Sequence, residues 1–253
     1  MTKTSDAPEF MPPDPVVRLV RDRILDAELA ALLAIAVEGG IPVLVAGVAP
    51  AARRAVRDAL VVLVPRGVRV VRLAADEDFA WMPQAVELGW RPTSATSPQL
   101  PGAVMVAALE GDAADGTWGD AARLAIRALT AGHSLLATVG GSGLDDVLRT
   151  LGRPPVSAAD DELSRLGVVL VLGAAERVEI AHYLRPVARD PGGHVQRLPP
   201  AALAAWNVRT GRYDHFAWGI LAELASRTGR RPLAFEREQA RRAASISAAA
   251  AGP

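Results

Sequence analysis

Gly47, Ala52, Arg53 and Arg54 lie in the stretch 41–55, IPVLVAGVAPAARRA. A short apolar run ends at Ala46-Gly47, small residues follow, and Arg53-Arg54 opens a run of helical periodicity. Strand, tight loop and helix is the layout of a phosphate-binding P-loop, where backbone N–H groups and a lysine meet phosphate and a serine or threonine hydroxyl meets Mg²⁺. The pattern is glycine, four residues, glycine, lysine, then serine or threonine. Laid on without gaps, it places Gly47 at the first glycine, Ala52 at the second, Arg53 at the lysine and Arg54 at the hydroxyl. Only Gly47 matches. An ordinary βα turn in a parallel sheet accounts for the same residues.

The other groups with chemical potential have plainer readings. His133 precedes an apolar run and reads as a residue that satisfies backbone near a helix end, with phosphate sensing as the alternative. His182, His194 and His215 lack metal-ligand spacing. The acid clusters Asp76-Glu77-Asp78 and Asp160-Asp161-Glu162 read as a solvated loop and a helix N-terminus. The stretch 111–119, GDAADGTWG, lacks the spacing and terminal glutamate of a calcium loop. Asp120, Arg123 and Arg127 fit a charged helix face. The arginines of 227–242 fit a solvated face or a subunit contact. No metal site is expected, and no Ser-His-Asp or Cys-His arrangement is present.

The elements that would position these residues follow from periodicity and turn signals. Residues 1–15 read as a loose arm rich in Pro, Asp and Ser, and 16–38 as helix up to a stop at Gly39-Gly40. Strands are expected at 42–46, 68–73, 103–107, 134–139, 168–172 and 178–187. Helices are expected at 49–63, 120–131, 144–151, 158–165, 217–226 and 235–244. The last 50 or so residues are expected to be helical after a loop at Gly192-Gly193, and 246–253 to be a disordered tail. Apolar strand runs separated by helices imply a mainly parallel central sheet with helices on both faces.

Composition narrows the classes. Half of the 253 residues are hydrophobic, enough for one sizeable core. A formal net charge of zero argues against a surface built wholly for nucleic acid. The absence of cysteine fits a reducing compartment such as the cytoplasm. No signal peptide or apolar run long enough to insert in a membrane is apparent.

The strongest local signal is 130–151, TAGHSLLATVGGSGLDDVLRTL. Gly132-His133, Thr138-Val139, Arg149 and Leu151 make it resemble the core of the ATPases of type II and type IV secretion systems and type IV pili. In that family a Thr-Gly-His turn leads through a strand to Thr-Val-His-Ala and a helix ending Arg-Leu. The family's second histidine falls at Gly140 and its alanine at Gly141. Working outward, an acidic box falls at Ala74 and Ala75, with Asp78-Phe79 in place of its Glu-Leu. The following strand fits Pro101, Val104–Val106 and Gly111, with the catalytic glutamate at Ala108 and an arginine at Glu110. A Leu-Arg-bearing helix before that strand is reduced to Ser97-Pro98-Gln99-Leu100.

The resemblance covers about 20–245. It implies a three-layer RecA-like P-loop NTPase fold over 16–245 and a ring in which the active face is also the assembly surface. It also implies that catalysis has decayed. Arg54 offers no oxygen to a metal, Ala108 cannot deprotonate water, and the planar fork of Arg53 is no conservative substitute for an ammonium. The expected catalytic set is therefore empty, with weak ATP and Mg²⁺ binding at most. The expected role is that of an interaction or regulatory subunit of a secretion or pilus motor. Its partner would be itself or an intact homologous ATPase, with Trp81 and Trp118 as candidate anchors. Two other readings stand beside it: an active ATPase using Arg53 with Asp76, Glu110 or Asp112, and an unrelated α/β ligand-binding domain.

Overall fold

A computed structural model describes residues 10–91, 102–189, 195–196 and 198–252. Helix α1 (Asp14–Arg21) buries Val16, Val17 and Leu19. Helix α2 (Ala27–Glu38) starts where the Asp26 carboxylate accepts the Leu29 N–H at 2.9 Å. It is apolar on nearly every side and therefore buried. It ends at Gly39-Gly40, where Gly40 takes φ of 72°. The chain continues as β1 (Val43–Gly47), α3 (Pro50–Val61), β2 (Val70–Arg72), β3 (Val104–Leu109), α4 (Asp120–Arg127), β4 (Ser134–Gly140), α5 (Leu144–Gly152), α6 (Asp160–Leu163), β5 (Val168–Leu172) and β6 (Val178–Tyr183). A two-residue pair, β7 (Ala188–Arg189) and β8 (Val195–Gln196), leads to β9 (Ala201–Asn207), β10 (Arg212–His215), α7 (Leu221–Arg227) and α8 (Pro232–Ala251).

The main sheet has eight strands in the order β10-β9-β6-β5-β1-β4-β3-β2. The five strands β5, β1, β4, β3 and β2 are parallel, and β6, β9 and β10 extend them antiparallel. Alternate residues of the parallel strands enter two separate cores. Val43, Val45, Leu136 and Leu170 join α1, α2, α3, α7 and α8. Leu44, Ala46, Met105, Ala137 and Val169 join α4, α5 and α6. Helices thus cover both faces, which is why these strands read as unbroken apolar runs.

The connection from β1 runs outward to β2 at one edge, whereas the connection from β4 crosses back over β1 to β5. The C-terminal ends of β1, β3 and β4 therefore lie beside a change in winding direction, where open α/β sheets form a crevice.

Several expectations are corrected. Strand β2 is short and partly exposed because it is an edge of the sheet. The run 178–187 forms an antiparallel strand only to Tyr183, since β6 follows β5 by a tight reversal at 173–177 too short for a parallel crossover. The segment 201–215 is a β-hairpin. The tail expected to be disordered from 246 is helical to Ala251, anchored by the buried Ile246. Within the arm, Phe10 lies under the Arg242 guanidinium at 4.5 Å and helix begins at Asp14. The shortened helix at 97–100, Pro101, and the loop with Gly192, Gly193 and His194 lie outside the described residues.

Arg242 is a structural residue. It is 6% exposed and bonds Glu38 at 2.8 Å and Glu238 at 2.6 Å, which fastens α8 to the end of α2. This use in the interior replaces the expected role of that arginine on a solvated or subunit-contact face.

Candidate functional site

The turn after β1 is short. Val48 and Ala49 separate Gly47 from Pro50, which opens α3 with its preset φ and no N–H to lose. Ala51 and Ala52, good helix formers, then continue it. Ala52, Arg53 and Arg54 are consequently inside the helix, and the loop expected over 47–53 closes after Ala49. No extended loop remains to wrap a phosphate. Gly47 has a reason of its own: with φ of 157°, a Cβ there would lie 2.9 Å from the Leu172 Cβ on β5.

The side chain at the lysine position folds inward. Arg53 is 3% exposed, its Nη2 meets Glu110 Oε1 at 2.7 Å, and its Nη1 donates to the Gly47 carbonyl. The same Glu110 oxygen accepts the Thr138 hydroxyl at 3.0 Å. Strand geometry explains the meeting. Ala108 is registered against Thr138, and Glu110, two residues beyond Ala108, extends from the same face. That face carries α3. One turn along α3, Arg57 Nη1 donates to the Ala107 carbonyl at 3.0 Å. Helix α3 is thus pinned to the ends of β1, β3 and β4 by two buried arginines.

The remaining positions are distributed as follows. Gly140 pairs in register with Gly47. Arg54 bonds Asp115 at 2.6 Å on the surface. Ala108 is buried, and its carbonyl accepts the Thr117 N–H at 2.7 Å, which folds the loop after β3 back over the strand. The Thr117 hydroxyl reaches the Ala74 carbonyl at 3.3 Å. That contact draws the exposed Ala74-Ala75 segment toward this edge. Gly111 abuts the Trp118 ring, where a Cβ would approach to 2.7 Å. Asp78 is half-buried, and its carbonyl accepts the Trp90 indole N–H at 2.8 Å.

His133 is elsewhere. It precedes β4 and so lies at the N-terminal end of the sheet. Its Nδ1 accepts the Ala103 N–H at 3.0 Å and its ring meets Trp81 edge-to-face at 5.6 Å. Burial pushes its pKa below the ordinary value, with the Ala103 hydrogen bond acting in the opposite sense. Backbone satisfaction, the plainer of its two readings, is what the geometry provides. Arg123 and Arg127 turn to Glu162 on α6, Arg127 at 2.6 Å, as a charged helix face would.

The sequence joined Arg53 to Glu110 only as groups of an alternative active ATPase and not as an ion pair, and Thr138 and Arg57 were not among its site residues. A threonine inside the buried apolar run LLATV was the available signal for Thr138. Arg57 stands four residues after Arg53, hence on the same helix face.

The donor set does not suit a nucleotide-bound Mg²⁺. Position 54 has no hydroxyl, and the one carboxylate that points inward here is held by Arg53 and Thr138. Among the described residues, no group of three or more His, Asp or Glu is placed to hold a metal. No described helix is long and apolar enough to cross a membrane.

No model of a known protein family matches the chain, and no curated protein matches it. Among solved structures, it is similar to the VirB11 ATPase of the Brucella suis type IV secretion system, crystallised in complex with sulphate. The TM-score is 0.39 at 13% identity, and the match covers 79% of this chain and 59% of that one. The chain thus spans less than two thirds of that protein's length.

Proposed function

We propose that this chain is a degenerate, non-hydrolysing secretion-ATPase-type domain. In this reading it acts in the cytoplasm as an interaction or regulatory subunit of a secretion or type IV pilus motor, assembling with itself or with an intact homologous ATPase. The order and spacing of the degenerate motifs support it. So does the meeting of Gly47, Arg53, Ala108, Glu110 and Gly140 at the C-terminal ends of β1, β3 and β4, the location where such sheets bind ligands.

The observation that carries the loss of hydrolysis is the buried pair of Arg53 and Glu110 at 2.7 Å. A phosphate drawn to Arg53 would have to break that pair and leave Glu110 as an unpartnered carboxylate in the interior, a cost of about 3–5 kcal/mol. The Gly47 carbonyl already accepts from the same guanidinium. An enzyme that used Arg53 as its phosphate cation and Glu110 as a relocated acid would need both groups free at once. Asp76 and Asp112 are on exposed loops and face no such constraint, but no ligand geometry joins them.

Isothermal titration of the full chain with ATP and Mg²⁺ tests the proposal, together with phosphate release at the same concentrations. The expected result is no magnesium-dependent binding and no turnover. A micromolar, magnesium-dependent dissociation constant that Arg53→Ala abolishes would overturn it.

A further inference from the structure

Four of the five tryptophans have an evident structural use. Trp81, Trp90 and Trp118 pack against the core on the α4–α5–α6 side. Trp206 carries the Arg177 guanidinium at 3.9 Å over its ring. Trp218 has none. It sits in the single turn 217–220 before α7 and is 80% exposed. An indole left in water forfeits the large apolar burial that tryptophan offers.

Trp218 stands at the rim of a cavity of about 390 Å³ between the start of α2, the turn 217–220 and α8. That volume is at the small end of the range for binding pockets. Its apolar lining includes Ala217, Leu221 and Ala240. Its charged lining groups are Glu28, Glu236 and the half-buried His215. No arginine or lysine lines it. His215 is engaged by Asp26 at 2.8 Å and lies 3.7 Å from Glu28, so its charge is already matched. Glu236 forms no ion pair among the described residues. Phe216, between His215 and Ala217 in the chain, and Leu233, three residues before Glu236 on α8, are also exposed.

From this juxtaposition of an exposed indole, the unpaired carboxylate of Glu236 and a Glu28 carboxylate that shares His215 with Asp26, beside an apolar lining, we infer that the cavity docks a partner protein segment bearing an arginine or lysine beside an apolar side chain. The cationic head would lie over the face of Trp218 and between the carboxylates of Glu28 and Glu236. The apolar neighbour would pack against that lining. Tryptophan at the edge of a groove suits the anchoring role that such residues play in interfaces. The cavity is built from the starts of α2 and α7, the turn before α7 and the stretch of α8 from Glu236 to Ala243, away from the β1, β3 and β4 strand ends, so the inference stands independently of whether those ends bind nucleotide.

The test uses the full chain and two synthetic peptides, acetyl-Ala-Arg-Leu-Ala-Arg-Leu-amide and the same peptide with glutamate replacing arginine. Tryptophan emission is compared between wild type and Trp218→Phe, so that the Trp218 signal is isolated as the difference. The arginine peptide is expected to shift that signal saturably and the glutamate peptide to leave it unchanged. The double variant Glu28→Gln, Glu236→Gln should weaken the arginine peptide at least about tenfold, a change of about 1.4 kcal/mol. Circular dichroism of each variant confirms that the fold is retained, which the exposure of both glutamates favours. No Trp218-dependent shift at millimolar peptide, equal affinity in the double variant, or equal binding of the two peptides would each overturn the inference.

Discussion

Arg53 and Glu110 meet at 2.7 Å where neither side chain is more than 7% exposed, and the pair joins the first turn of α3 to the loop after β3. A buried pair is weak evidence of net stabilisation, because each charge has been taken out of water. Removing one member is different, since the survivor is then buried without its partner. We predict that Glu110→Ala destabilises the fold by about 3–5 kcal/mol, whereas the paired change Arg53→Met with Glu110→Leu costs far less than the sum of the two single changes. Urea unfolding of Glu110→Ala, of each single change and of the double variant checks this. Additivity of the single effects would show that the two side chains are not coupled.

A second prediction concerns pH: of the three shifted histidines among the described residues, His215 is raised while His133 and His182 are lowered, so they act with opposite sign. Burial opposes the charge on His215, but its hydrogen bond to Asp26 and the charges of Asp26, Glu28 and Asp214 raise its pKa above the ordinary 6.5. The stability it contributes is fully present below pH 6.5 and is lost as pH rises through its raised folded value. His133 is shifted downward, mainly by burial. Below pH 6.5 the unfolded chain takes up a proton that the folded chain refuses, so stability falls as pH drops toward the lowered folded value. His215→Gln should flatten the slope above pH 6.5 and His133→Gln the slope below it. Thermal unfolding between pH 5 and 8 checks both, and a variant with an unchanged profile would refute its assignment.

The loop after β3 provides a third prediction. A Cβ at Gly116 would lie 1.9 Å from the Glu110 carbonyl oxygen, which is backbone and cannot swing aside. Gly116→Ala should therefore destabilise by about 1–3 kcal/mol. The same displacement should loosen Glu110 on Thr138. Thr138→Val keeps the shape and removes the hydroxyl donor, and we expect it to cost about 1 kcal/mol. Denaturant midpoints of the two variants measure this. Wild-type stability in Gly116→Ala would mean that the loop is held differently.

What was legible in the sequence follows a physical division. The parallel core was readable because β1, β3, β4 and β5 are buried on both faces and carry unbroken apolar runs. The hairpin of β9 and β10 was not, because AALAAWN has the alanine content of a helix and becomes strand only by pairing with β6. The C-terminal helix was cut short for a related reason. Its Ala/Ser end looks like a frayed tail until Ile246 and Arg242 are seen seated against the core. At the site, the strand ends bring Gly47, Ala108 and Gly140 near one another. The pairing of Arg53 with Glu110 depends on a three-dimensional meeting of residues 57 positions apart, which no spacing in the chain encodes.

The final prediction bears on assembly. Trp81 and Trp118, the anchors suggested by composition, both pack against the core, and Trp81 also donates its indole N–H to Glu77 at 3.2 Å. Their removal should therefore weaken folding at least as much as association. At the strand ends themselves the exposed apolar group is Val48, 67% exposed at the tip of the turn between β1 and α3. It stands beside a surface whose charges, Arg54 and Asp115, are already matched. A valine held out into water on a short turn, next to neutralised charges, has the character of an interface core position. If these strand ends form the proposed assembly surface, Val48→Asp should abolish self-association, or association with an intact secretion-type ATPase, while leaving the unfolding temperature within a few degrees of wild type. Light scattering over a hundredfold concentration range, with and without that ATPase, measures it. A chain that stays monomeric under every one of these conditions would remove the assembly role, and association that survives Val48→Asp would move it to another face.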